Sequence, residues 1–162
     1  MRATLSPRVL QVSAGLLLTA LLGGCATVVP GMSRDEVAAI MGKPPRVVAL
    51  PSGERWQYSR QPAGQSAVMV DIDASGRVVS AREVLTENEF NRIEIDRWTR
   101  ADVEREFGRP ASVGRVANWP HDILAYRWRA PTSDMFYWVF LDQNQVVRRT
   151  QQGMDFPYEP QD

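Results

Sequence analysis

The hydrophobic positions of the chain switch twice between helical and strand spacing. Val37, Ile40 and Met41 fall on one helical face, and Val103 and Phe107 do so further along. Each helical segment follows a hydroxyl residue with an acid three positions later, which is the pattern of an N-terminal capping box. A glycine with a proline two positions later closes each segment, and this combination ends a helix. The pattern therefore predicts two short helices of one design.

These helices belong to two copies of one unit, since residues 31–44 align with residues 97–110 at a constant offset of 97 − 31 = 66 positions. The capping pairs are Ser33 with Glu36 and Thr99 with Asp102. Strands are predicted at 46–49, 55–59, 68–73 and 77–80 in the first copy, and at 124–129, 135–141 and 146–149 in the second. Residues 117–122 are an insertion in the second copy. Segment 86–96 predicts an additional helix, because Phe90 and Ile93 lie three positions apart.

The N-terminal segment has the pattern of a targeting signal. Arg2 and Arg8 precede an apolar run over 9–22, which is shorter than the roughly 20 residues of a membrane-spanning helix. The run ends in Leu-Gly-Gly-Cys at 22–25, which resembles the bacterial lipobox. We therefore expect a signal peptide at 1–24, a lipid on Cys25 and a tether at 25–30. The alternative is an ordinary secretory signal with a chance cysteine.

The expected lipid sets the location of the chain. Several acyl chains on Cys25 hold a protein on a bilayer essentially permanently. The next residue is Ala26 and not the aspartate that retains many bacterial lipoproteins at the inner membrane. We therefore expect the periplasmic face of the outer membrane. The lipid occupies the only cysteine, and no other cofactor is expected.

Composition and charge make several function classes poor candidates. Nineteen basic residues balance nineteen acidic ones, so no basic field exists to bind a nucleic acid. One cysteine and one histidine, His121, do not make a metal cluster. The sequence has no Gly-rich phosphate loop and no Gly-x-Ser-x-Gly elbow. We therefore expect no enzymatic activity and no small-molecule substrate.

Asp71 and Asp73 offer the nearest approach to a catalytic or calcium-binding pattern. Residues 71–76 resemble the start of an EF-hand loop, but Arg82 stands where a bidentate glutamate is needed. The two carboxylates also share a strand face, as a glycosidase pair might, without an aromatic sugar platform beside them. A hairpin turn with solvated acids is the favoured interpretation.

Residues 31–37, residues 41–44 and the hairpin with Asp73 and Gly76 together resemble the BamE (SmpA/OmlA) lipoprotein family. The resemblance implies the fold of the β-lactamase inhibitor protein, in which helices pack on one face of an antiparallel sheet. The fold class expected is accordingly α+β, with two tandem helix-plus-antiparallel-sheet units at 31–84 and 85–154 and a tail at 155–162. It also implies a role in outer-membrane β-barrel protein assembly, by binding and without catalysis.

A run of apolar residues at 135–141 provides a candidate binding surface. Alignment with 68–73 places Tyr137, Val139 and Leu141 on the helix-packed face, and Phe136, Trp138 and Phe140 on the other. The hypothesis is a partner-binding aromatic stripe of Phe136, Trp138 and Phe140, flanked either by Trp56 and Tyr58 or by Tyr126 and Trp128. The alternative is core packing, with the Pro-rich segment 156–160 as the cover.

The functional expectation is a non-catalytic outer-membrane lipoprotein that acts as an accessory or scaffold in β-barrel protein assembly or envelope integrity. The expected partners are the membrane, reached through the lipid, and outer-membrane assembly proteins. An alternative is a protein inhibitor or regulator of a periplasmic enzyme, since the tandem units resemble the β-lactamase inhibitor protein.

Overall fold

The computed structural model describes residues 27–155. The predicted signal peptide, Cys25 and residues 156–162 of the predicted tail lie outside the described residues. The elements in chain order are α1 (Arg34–Met41), β1 (Arg46–Leu50), β2 (Gly53–Ser59), β3 (Ala67–Asp73), β4 (Val78–Glu83), α2 (Glu87–Phe90), α3 (Arg100–Phe107), β5 (Ser112–Val116), β6 (Trp119–Arg129), β7 (Asp134–Leu141) and β8 (Val147–Met154).

The strands form two four-stranded antiparallel sheets, each in sequential order, β1-β2-β3-β4 and β5-β6-β7-β8. The expected α+β arrangement of two helix-plus-sheet units is therefore wrong, because residues 27–155 are β-rich with few, short helices. The helices have only eight, four and eight residues. Helices of about two turns bury one or two side chains each, so they do not build a layer that matches a four-stranded sheet.

Local sequence signals set the short helix lengths. Both predicted capping boxes form, with Glu36 accepting from the Ser33 amide at 2.7 Å and Asp102 from the Thr99 amide at 2.8 Å. Gly42 and Gly108 follow the last helical residues with φ of 79°, a conformation that glycine adopts without strain. The additional helix predicted over 86–96 is limited to α2, after which the chain enters turns.

The second sheet contains a strand that the hydrophobic pattern does not reveal. All five residues of β5 are exposed, so they show no alternation of buried and exposed positions. Its partner β6 begins at Trp119, so much of the predicted insertion at 117–122 is a hairpin between β5 and β6. The insertion therefore lengthens the sheet instead of forming a loop.

The two copies keep equivalent contacts ahead of their helices. Ser33 forms an isolated β-bridge with Arg77, and Thr99 forms one with Val146. In each case the capping residue pairs with the chain just before the last strand of its own sheet. The internal repeat is thus visible in the backbone pairing as well as in the sequence.

Helix α3 contacts both sheets. On one side, Gln57 of β2 donates to the carbonyls of Glu104 and Arg105, both at 3.0 Å. On the other side, Phe107 packs against Tyr126 of β6, with 6.0 Å between ring centroids. The larger of the two hydrophobic cores accordingly combines Ala67 and Met69 of the first sheet with side chains of the second sheet and its helices.

A buried ion cluster strengthens this contact. Arg55 of β2 is 5% exposed and donates to both carboxylate oxygens of Asp71, at 2.6 and 2.9 Å. It also lies 2.8 Å from Glu106 and donates to the Arg105 carbonyl at 3.2 Å, both on α3. Arg82 approaches Asp71 at 3.5 Å and Glu106 at 3.6 Å. Charged groups therefore join the first sheet to the second copy's helix.

Candidate partner-binding face

Strand β7 presents two different faces, as its sequence predicts. Tyr137, Val139 and Leu141 are buried in the larger core, where Phe90 stacks on Tyr137 with 4.1 Å between ring centroids. Phe136 and Trp138 point to the opposite side of the sheet and are only half-buried. This second side is called the outer face below, and it contains the predicted stripe.

The centre of the stripe is a stacked aromatic pair. The rings of Phe136 and Trp138 lie 5.7 Å apart at an interplanar angle of 19°. The Trp138 ring rests on Gly153 of the neighbouring strand β8, where an added Cβ would come within 3.0 Å of it. The guanidinium of Arg127 lies 5.9 Å from the Phe136 centroid. Glycine at 153 therefore lets the indole lie flat against the sheet.

Phe140 differs from its two neighbours, because other side chains cover it. It is 6% exposed. Trp119 packs edge-on against its ring at 5.6 Å, and the guanidinium of Arg149 lies 4.0 Å from its centroid. The Trp119 indole is fixed in turn by donation to the Leu141 carbonyl at 2.8 Å. Sequence reasoning missed Trp119 and Arg149, because their place depends on the pairing of β6 and β8 with β7.

The strand register arranges the outer face in rows that run across the sheet. One row consists of Ser112, Ala125, Trp138 and Gln151, and the next of Gly114, Ile123, Phe140 and Arg149. Small side chains stand at the β5 positions of both rows, and large ones stand at the β7 positions. The difference in height creates an open groove of about 490 Å³ beside Trp138 and Phe140.

The residues predicted to flank the stripe lie elsewhere. Tyr126 and Trp128 are buried on the opposite face of β6, because they pair with Tyr137 and Met135. The Tyr126 hydroxyl donates to the Gly108 carbonyl at 2.9 Å, and burial raises its pKa well above the usual value.

Trp56 and Tyr58 belong to the first sheet. Trp56 packs with Val37 of α1 in the smaller core, and the Tyr58 hydroxyl donates to the Gly42 carbonyl at 2.9 Å. None of the four predicted flanking residues therefore borders the stripe. Alternation along a strand shows which residues share a face of that strand. It does not give the register with the neighbouring strand or the position of the other sheet.

The acids considered for catalysis have structural partners. Burial opposes ionisation of Asp71, but the hydrogen bonds and charge of Arg55 outweigh it and lower the Asp71 pKa. Hydrogen bonds from the Ser75 hydroxyl and the Arg77 amide lower the pKa of Asp73, which shapes the β3–β4 turn. His121 is half-buried beside Trp119, with 6.5 Å between ring centroids.

Within residues 27–155, no three His, Cys, Asp or Glu side chains are grouped as a metal ion requires. In the same part of the chain, none of the helices has the length and apolar character needed to cross a bilayer.

By its fold the chain is a β-rich protein of two antiparallel sheets, one of which has an aromatic outer face. No protein-family model matches the sequence, and no curated protein matches it. Among solved structures it is similar to a DUF4309 family protein, YjgB, from Bacillus subtilis, with 15% identity and a TM-score of 0.31 over 76% of this chain and 78% of that one. A likeness at this TM-score carries no information on the fold of this chain or on what it binds.

Proposed function

We propose that the protein is a lipid-anchored, non-catalytic binding protein that acts as an accessory or scaffold in outer-membrane β-barrel protein assembly or envelope integrity. The family proposed is BamE (SmpA/OmlA), on the motif at 31–44 and its repeat at 97–110. The lipid on Cys25 holds the chain at the periplasmic face of the outer membrane, and the outer face of the second sheet binds the partner.

The observation that carries this proposal is the half-buried stack of Phe136 and Trp138, which keeps part of its surface open to solvent. Stacked aromatic side chains on a rigid sheet lose little conformational entropy on binding, and tryptophan is enriched among the residues that dominate interface energies. Gly153 and the sheet backbone already fix the orientation of Trp138. The stack is therefore suited to act as the anchor of a protein interface.

The predicted tether keeps the protein close to the membrane surface. Five residues, 26–30, separate Cys25 from Gly31, and an extended chain of that length reaches at most about 18 Å. The first sheet would then lie against the membrane surface, and the partner would be met close to the bilayer.

Affinity purification of the full-length protein from its native membranes in mild detergent tests the proposal. Trp138→Ala should lose the partner, because truncation of an anchor residue costs about 2 kcal/mol or more of binding energy, or roughly thirtyfold. Val79→Ala is the control, because Val79 is 58% exposed on the first sheet and should keep the partner. Cys25→Ala should leave the protein outside the membrane fraction.

The identity of the recovered protein decides the outcome. Barrel-assembly subunits that are lost with Trp138→Ala would support the proposed role. A single soluble periplasmic enzyme would move the function to an inhibitor or regulator. Equal recovery with wild type and Trp138→Ala would contradict the outer face as the binding surface.

A further inference from the structure

The edge strand β5 differs from every other strand of residues 27–155. All five of its residues are exposed, whereas each of the other seven strands buries or half-buries several of its positions. It is the first strand of its sheet, so its outer edge has no neighbouring strand in the described part of the chain. Open edges of this kind are templates for pairing with another strand.

The part of the β6 edge that extends past β5 is paired with a side chain of the first copy, whereas the outer edge of β5 has no such pairing among the described residues. Strand β6 extends past the end of β5, and the side-chain amide of Gln61 pairs with the backbone of Arg127 at that point. Oε1 accepts from the Arg127 amide at 3.2 Å, and Nε2 donates to the Arg127 carbonyl at 2.6 Å. Gln61 thus takes the place of a strand residue. Edge protection therefore ends where β5 begins.

The side chains around β5 leave room for those of an added strand. On the outer face, Ser112, Gly114 and Ala125 form the low side of the groove beside Trp138 and Phe140. Alternate side chains of a strand paired with β5 would enter this space. On the other face, Val113 is 45% exposed and would meet the remaining side chains of that strand. Both faces thus favour apolar groups.

The charge at the groove indicates an acidic partner. Arg115 belongs to β5 itself and lines the groove, whereas Arg149 lies on β8, three strands away. Arg115, at the bulge of β5, pairs with Asp122 but keeps a 68% exposed side chain. Asp122 is shared between Arg115 and Arg100, so an incoming carboxylate beside β5 would gain a charge-assisted hydrogen bond from Arg115.

We infer that β5 binds an extended segment of the partner protein as an additional strand, with large apolar side chains in the groove and a carboxylate at Arg115. This inference rests on the proposed function, and it names the binding mode and the partner chemistry. Main-chain pairing along β5 supplies part of the affinity, and the groove selects the side chains.

Hydrogen exchange of the purified complex, compared with the free protein in the same detergent, tests the binding mode. Amides of residues 112–116 should exchange at least about tenfold more slowly in the complex than in the free protein. Amides of β1 are the internal control, because β1 is the edge strand at the same position in the first sheet, and they should not change.

A groove-filling substitution tests the side-chain fit. An added Cβ at Gly114 meets no atom within 4 Å, so Gly114→Phe should fold normally and fill the groove. It should lose the partner, whereas Val47→Phe on β1, where Val47 is 50% exposed, should keep it. Arg115→Gln should weaken the association about tenfold and reduce its dependence on salt.

The outcomes separate this inference from the proposed function. A partner that depends on Trp138 but leaves β5 exchange unchanged, or that tolerates Gly114→Phe, would overturn strand addition while the proposed function stands. Recovery of no partner by the wild-type protein would remove both. Co-purification of two differently tagged copies of this chain through β5 would overturn the inference in favour of self-association.

Discussion

Replacement of Arg55 by methionine would test whether the buried ion cluster holds α3 on the first sheet. Arg55 makes four polar contacts, two with Asp71, one with Glu106 and one with the Arg105 carbonyl. Methionine fills much of the same volume without a charge. The carboxylates of Asp71 and Glu106, whose side chains are only 18% and 12% exposed, would then lose the cation that they share.

The expected loss is smaller than the sum of the contacts. Four hydrogen bonds to charged groups, at about 1.5–3 kcal/mol each, would add up to about 6–12 kcal/mol. The cost of withdrawing Arg55 from water offsets much of this sum, and removing one partner of a buried pair costs about 3–5 kcal/mol in practice. Arg82 and Arg105 remain at 3.6 and 3.2 Å from Glu106. We therefore expect a loss of about 3 kcal/mol in the free energy of unfolding.

Urea and thermal unfolding of the full-length protein in detergent, followed by circular dichroism at pH 7, would measure this loss. Arg55→Met should lower the unfolding midpoint by about 10 °C. Arg97→Met is the matched control, since Arg97 and its partner Glu94 are 78% and 48% exposed and their pair contributes little. Addition of Asp71→Asn and Glu106→Gln to Arg55→Met should restore at least half of the loss, because no buried charge is then left unpaired. A loss below about 1 kcal/mol, or one equal to that of Arg97→Met, would refute the reasoning.

Three further predictions concern single side chains. Pairing with Arg55 lowers the Asp71 pKa, so this carboxylate stabilises the fold above its unfolded-state pKa of about 4 and loses that contribution as pH falls through the lower folded value. Asp71→Asn should accordingly flatten the fall in unfolding midpoint between about pH 5 and 3, and an unchanged slope would contradict this. Gly153→Ala brings a Cβ within 3.0 Å of the Trp138 ring, so it should lower the free energy of unfolding by about 1 kcal/mol and change the near-ultraviolet circular dichroism of the indole. An unchanged spectrum would show that Gly153 does not position the stack. Thr99→Ala removes the N-cap of α3 and should cost about 1 kcal/mol in urea unfolding, whereas a change within error would mean that the cap adds nothing.

The parts of the fold that sequence predicts well are those fixed by near neighbours. The capping boxes join residues three positions apart, and the glycines that end α1 and α3 act within the next two residues. Alternation puts Phe136 and Trp138 on the face of β7 opposite to Tyr137 and Val139, and alignment with residues 68–73 of the first copy indicates which face packs on the core.

The parts that sequence misses depend on pairing over long distances. Trp119 and Arg149 reach Phe140 only because β6 and β8 flank β7 in a particular register. Strand β5 buries no residue, so hydrophobic alternation gives no sign of it. The flanking role expected of Tyr126 fails because its register with Tyr137 puts it on the buried face, and that of Trp56 fails because it lies in the other sheet.

The fold class shows how two correct helix predictions can lead to a wrong architecture. The helix signals at 34–41 and 100–107 are real, but they specify only two turns each. The number and length of the strands determine the class of the structure, and β6 alone has eleven residues. Short, well-capped helices are therefore weak evidence for a helical layer.

The position of α3 has a consequence for how such a protein can change during evolution. The carbonyls of Glu104 and Arg105 accept hydrogen bonds from the first sheet, while Phe107 is part of the second sheet's core. A recombination event that moved one copy alone into another gene would leave α3 with half of its contacts. The two copies are therefore joined into one structure by α3, although the sequence repeat divides the chain into two units.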